Sequence, residues 1–160
     1  MLSTQDGSGA HCAVIRDGAQ RVSFDPAGSL SLASWAERGD VIYGANPAVV
    51  DSYIDYHTRN THDTVAQTRD VTDAVSGDLL ARVMDHGPVM QSFCAQNVSA
   101  LLRATPGFEA IEPTFFPQTL MERFAALPGV RAVRFAQPAN RDKRPDMHCR
   151  VAQNRTYDVE

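Results

Sequence analysis

The spacing of apolar and polar positions changes period several times along this chain, and each change marks an element. Residues 11–15, His-Cys-Ala-Val-Ile, are a short apolar run that predicts a strand. Val22 and Phe24 alternate in a second strand over 20–24, and Asp17-Gly18 between them is a turn signal, so the pair predicts a β-hairpin. Asp25-Pro26-Ala27-Gly28-Ser29 breaks the pattern. Residues 34–39, with the only tryptophan, Trp35, predict a short helix or loop, and 40–44 a third strand. Asn46-Pro47 opens a helix, with Asn as cap and Pro at the first helical position. Val49, Val50, Tyr53, Ile54 and Tyr56-His57 then follow a helical period.

The second half is more helical. Residues 61–71 alternate as a strand, and charge on both faces predicts an exposed or edge position. Thr72 caps a helix over 73–85, with Val75, Leu79, Leu80, Val83 and Met84 on one face. Cys94, Val98, Leu101 and Leu102 share the face of another helix, for which Ser92 is the expected cap. Residues 113–127 predict a last helix, with Phe116, Leu120, Met121, Phe124 and Leu127 inward, and 130–135 a last strand. The expected class is α+β: a small, mostly antiparallel sheet packed on helices. Residues 1–10 are expected as a flexible lead, 11–136 as one domain, and 137–160 as a polar extended tail with little core.

Composition narrows the function. The net charge of −4 speaks against a binder held to nucleic acid by phosphate neutralisation. No apolar run reaches the length of a membrane span. The start lacks a basic region followed by an apolar core, so no signal peptide is expected, and the site of action is cytoplasmic or one reached inside an assembly such as a virion. Three cysteines without a CxxC pair disfavour a disulfide framework or a zinc finger. Adjacent strand residues point to opposite faces, so neither His11-Cys12 nor His148-Cys149 chelates one metal without distortion. No metal and no cofactor is expected.

The chemistry centres on Cys94. A thiol in the first turn of a helix meets the positive end of the helix dipole, which favours the nucleophilic thiolate. The alternative is a core cysteine acting as a small hydrophobe. His11 places an ionisable ring beside the expected core. Asp25 ends the neighbouring strand at the same open end of the hairpin, where its carboxylate can accept an imidazole N–H. Asp25 also suits a plain turn in Asp-Pro-Ala-Gly. His57, His62, His86 and His148 are more simply structural.

This order of parts resembles the circularly permuted papain-like superfamily, which includes permuted relatives of the NlpC-type cell-wall peptidases and the lecithin–retinol acyltransferase group. The matching parts are His11 in His-Cys-Ala-Val-Ile, Asp25 in Ser-Phe-Asp-Pro-Ala-Gly, and Cys94 in Phe-Cys-Ala-Gln-Asn-Val-Ser-Ala-Leu-Leu. The resemblance covers about residues 11–135. It departs in the long helical insert before the cysteine and the short segment before His11. The third position is Asp here, whereas the family varies among His, Glu, Gln and Asp.

The resemblance implies a cysteine amidohydrolase with Cys94 as nucleophile, His11 as base and Asp25 as its orienting partner. The Cys94 N–H would contribute to an oxyanion hole. Gln91 is either a second donor there or an exposed loop residue. A cell-wall peptide is the implied substrate class. Two other functions stay open: a non-catalytic component of an assembly on the same fold, with 137–160 meeting a partner, and an acyltransferase or thioesterase using the same residues.

Overall fold

The computed structural model describes residues 2–4, 9–28, 30, 34–58 and 62–136. In chain order these form β1 (Leu2–Thr4), β2 (Gly9–His11), β3 (Val14–Arg16), β4 (Val22–Phe24), β5 (Ala36–Arg38), β6 (Val41–Tyr43), α1 (Pro47–His57), β7 (His62–Thr68), α2 (Asp73–Asp85), α3 (Cys94–Arg103), α4 (Pro117–Ala125) and β8 (Arg131–Phe135). The fold is α+β. One four-stranded sheet has the order β2-β1-β7-β8 and the other β3-β4-β6-β5, and every pairing is antiparallel.

The expected hairpin is β3–β4, with Val14 opposite Phe24 and Arg16 opposite Val22. The run 11–15 is two strands rather than one. It breaks at Cys12-Ala13, where the chain leaves the first sheet and enters the second. His11 therefore closes one sheet, and Cys12, buried in the main core, sits at the crossing between them.

That core joins the second sheet to the helices. Val22, Phe24 and Val41 pack with Leu79 and Val83 of α2, Val98, Leu101 and Leu102 of α3, and Leu120 of α4. Burying a side chain of this size contributes about 1.5–3 kcal/mol. Every apolar position expected on the inner face of α3 is buried, so the helix is held from behind along its length.

Five expectations are corrected. Residues 1–10 contain two strands, β1 and the start of β2, because β1 adds to the edge of β7 and β2 pairs beside it. Residues 36–38 form β5 on the edge of β6 instead of a helix or loop. β7 is interior, between β1 and β8. Its Asp63 is only 1% exposed, and Arg134 of β8 donates to it at 2.6 Å, so its charge is answered by a neighbouring strand rather than by water. α4 begins at Pro117 rather than near 113. Ahead of it, the buried Ser99 hydroxyl of α3 accepts the Thr114 N–H at 2.9 Å. Ser92 does not cap α3. It lies in a turn at φ 72°, and the cap position is Phe93, which makes no side-chain capping bond.

The caps expected at Asn46 and Thr72 are present, each accepting an N–H of its helix from the third residue on. No helix among the described residues is long and apolar enough to cross a membrane. The expected tail, 137–160, lies outside the described residues, as do His148 and Cys149.

Candidate active site

Three elements bring the sequence-derived residues together. His11 ends β2, Asp25 follows β4, and Cys94 is the first residue of α3. His11 Nε2 lies 2.6 Å from Asp25 Oδ1. The Cys94 sulfur is near enough to the His11 ring for each to shift the other's pKa. The imidazole is thus paired with the carboxylate and lies near the thiol. Asp25 and Cys94 are 4% and 6% exposed, so both contacts are shielded from water.

Asp25 is fixed from several sides. Its N–H donates to Asp40 O at 2.8 Å, and its own carbonyl accepts the Gly28 N–H at 2.9 Å. The buried Tyr53 hydroxyl donates to Oδ1 at 2.6 Å. Oδ2 has no hydrogen-bond partner among the described residues and faces Gly28, where an added Cβ would come within 1.9 Å of it. Only glycine permits that approach.

Asp40, at φ 63°, ties this turn to the segment leading into α3. Its Oδ2 accepts the Ala27 N–H at 3.2 Å and the Val89 N–H at 2.8 Å. One carboxylate therefore sets the acid's turn against the approach to Cys94. Aspartate tolerates the left-handed backbone better than most residues.

The charges follow from these contacts. For Cys94 the largest influence is the hydrogen bond from the Cys12 thiol. Together with His11 and the Cys12 backbone N–H it outweighs burial and brings the pKa from 9.0 down to about 4. Burial alone would lower His11, but Asp25 and Cys94 outweigh it and raise the pKa from 6.5 to about 9. Near neutral pH the pair is a thiolate and an imidazolium. Cys12 is driven the other way, far above its usual range, first by its bond to Cys94 and then by burial, so it remains a thiol donor. Burial, reinforced by the Asp25 charge, also keeps Tyr53 protonated.

Gln91 is exposed in the turn that precedes α3. The first-turn N–H groups of a helix have no intrahelical acceptor. With no side-chain cap at Phe93, those of α3 point to the same end as the Cys94 sulfur. Beside them lies a groove of about 280 Å³ lined by Pro88, Val89, Met90, Phe93, Gln96 and Asn97.

Three participants were not expected from the sequence. Tyr53 and His57 were assigned to the helical pattern of α1 alone, and Cys12 to a metal question. His57 stacks on His11 with ring centroids 6.0 Å apart, and its Nδ1 lies 2.8 Å from Tyr53 O. The signal for the first two was the i, i+4 spacing of two polar rings on one helix face. For Cys12 it was adjacency to His11. His86 belongs elsewhere, against Phe24, with ring centroids 4.8 Å apart.

His11, Asp25 and His57 each offer a metal-ligating atom, all within 4.8 Å of one another. However, His11 and Asp25 stand at 2.6 Å, a hydrogen-bond distance. Two ligands on a tetrahedral zinc are about 3.3 Å apart at bond lengths near 2.0 Å. The set as arranged is a hydrogen-bonded relay rather than an open chelate.

Compared with protein-family models, with curated proteins and with solved structures, the chain matches none.

Proposed function

We propose that the protein is a cysteine amidohydrolase acting on a peptide-type amide. The observation that carries this reading is the position of His11, hydrogen-bonded to Asp25 and near enough to Cys94, at the start of a helix, for each to shift the other's pKa. A nucleophile, its base and an orienting acid in that relation match the requirements of acyl transfer. The permuted papain-like resemblance supports the same roles, and a cell-wall peptide is the substrate class it favours.

The chemistry runs in two halves. The Cys94 thiolate attacks the amide carbonyl carbon, and the oxygen's growing charge is met by the Cys94 backbone N–H, with Gln91 as a second donor. His11 gives its proton to the leaving amine, which departs as the thioester forms. Neutral His11 then takes a proton from water, whose oxygen attacks the thioester and releases the carboxylic acid and the thiolate. Asp25 holds the imidazole so that one ring nitrogen faces sulfur throughout. Proton transfer of this kind contributes typically about 10²–10⁴-fold to rate.

The test is amine release from peptidoglycan fragments by the wild type, Cys94→Ala and His11→Ala. Wild-type turnover lost in both variants is expected, since members of such a set act as a unit. Wild-type turnover that survives Cys94→Ala would refute the mechanism.

A second reading, a non-catalytic binding component, is favoured by a specific surface. Met90, Phe115 and Phe116 are 72%, 57% and 69% exposed, and Phe93 packs against Phe115 with ring centroids 5.7 Å apart. Apolar exposure of this kind marks a binding face. In that reading the wild type shows no turnover, and substitutions on this face or in 137–160 impair assembly.

A further inference from the structure

We infer that the groove beside Cys94 holds a bulky, uncharged, apolar side chain of the substrate next to the scissile amide, with Met90 and Phe93 as the specificity-determining residues. This deepens the amidohydrolase reading and rests on it. It does not rest on the cell-wall substrate class.

The groove is continuous with the nucleophile. Phe93 directly precedes Cys94, and Asn97 follows three residues on, on the same side of α3. Val89, also in the lining, packs against the core cluster that contains Cys94. Hydrogen bonds hold the shape of the groove. The Val89 N–H donates to Asp40 Oδ2 at 2.8 Å. The Phe93 carbonyl accepts both the Asn97 backbone N–H at 3.0 Å and the Asn97 side-chain amide at 2.9 Å. A groove fixed in this way loses little freedom when it is filled.

The lining names the occupant. Pro88, Val89, Met90 and Phe93 are apolar, Gln96 and Asn97 are neutral amides, and none of them is charged. A charged side chain would give up water there without gaining an opposite charge. An aliphatic or aromatic one would cover Met90 and Phe93, which are 72% and 37% exposed. Phe115 meets the Phe93 ring edge-on and lengthens the apolar wall. The volume of about 280 Å³ lies below the roughly 300–1,000 Å³ of pockets that enclose a whole small ligand, so the groove takes one side chain and leaves the rest of the substrate outside. The Asn97 side-chain oxygen and the Gln96 amide suit the backbone of a peptide. A protein partner seated on the same surface would cover the approach to Cys94, which a hydrolase needs open.

The experiment measures alkylation of Cys94 in the full-length protein at neutral pH by iodoacetamide, N-benzyl-iodoacetamide and N-carboxymethyl-iodoacetamide. Peptide mass spectrometry reads the rates, with Cys149 as the internal reference. Relative to Cys149, the benzyl reagent should label Cys94 about tenfold faster than iodoacetamide does, and the carboxymethyl reagent no faster. Met90→Ser and Phe93→Ala should each lose most of the benzyl advantage. Met84→Ala, which removes an exposed apolar side chain on α2, should keep it. Equal rates for the three reagents in the wild type, or a benzyl advantage that survives both groove variants, would overturn the inference while leaving Cys94 as the nucleophile. A Cys94 that no reagent labels would overturn the amidohydrolase reading and this inference with it.

Discussion

Tyr53 donates its hydroxyl to the same oxygen of Asp25 that His11 engages, at 2.6 Å. The site is therefore held by α1 as well as by the hairpin. A hydrogen bond to a charged group contributes about 1.5–3 kcal/mol. Tyr53→Phe should lower unfolding free energy by about that amount, measured by urea denaturation. Losing one donor makes Asp25 a stronger acceptor, so the His11 pKa should rise in the variant. An NMR titration of the His11 ring that shows it falling would contradict this arrangement.

Gly28→Ala is expected to push Asp25 off His11, because the new Cβ would sit 1.9 Å from Oδ2. His11 would lose its main support, and its pKa should move from about 9 back toward 6.5. The same titration checks it, and an unchanged value would mean that the turn simply relaxes.

Asp40→Ala should be costlier than Asp40→Asn. The first leaves the Ala27 and Val89 N–H groups without their acceptor and places an alanine at φ 63°. The second keeps one oxygen and a residue that tolerates that backbone. An unsatisfied partly buried donor costs about 1–3 kcal/mol, so thermal denaturation should separate the two variants by several degrees.

Any turnover should follow a bell-shaped pH profile. The active pair requires Cys94 deprotonated, which holds above about 4, and His11 protonated, which holds below about 9. As the two groups are coupled, the limbs belong to the pair. Stability follows the same linkage with opposite signs. The Cys94 contribution is present above 9.0 and lost as pH falls through about 4. The His11 contribution is present below 6.5 and lost as pH rises through about 9.

Local patterns made some elements readable in advance and left others hidden. The caps at Asn46 and Thr72 and the turn at Asp17-Gly18 act within a few residues, so α1, α2 and the β3–β4 hairpin were legible. The interior place of β7 was not, because it depends on partners from both ends of the chain, and Asp63 looks exposed until Arg134 is seen beside it. The pairing of His11 with Asp25 was legible from their places at one end of the hairpin. Tyr53 and His57 were hidden within an apolar periodicity that explains them equally well as packing. Ser92 has the right residue type for a cap but sits in a left-handed turn, which leaves the α3 N-terminus open.

The central claim is that Cys94 stands as a thiolate paired with His11. The most direct measurement is the rate of Cys94 alkylation by iodoacetamide against pH, read by mass spectrometry on the full chain with Cys12 and Cys149 as internal references. The account predicts that Cys94 reacts fastest of the three at neutral pH, with a midpoint near 4, and that the midpoint rises in His11→Ala. A Cys94 midpoint near the ordinary 9.0, unchanged in His11→Ala, would contradict it.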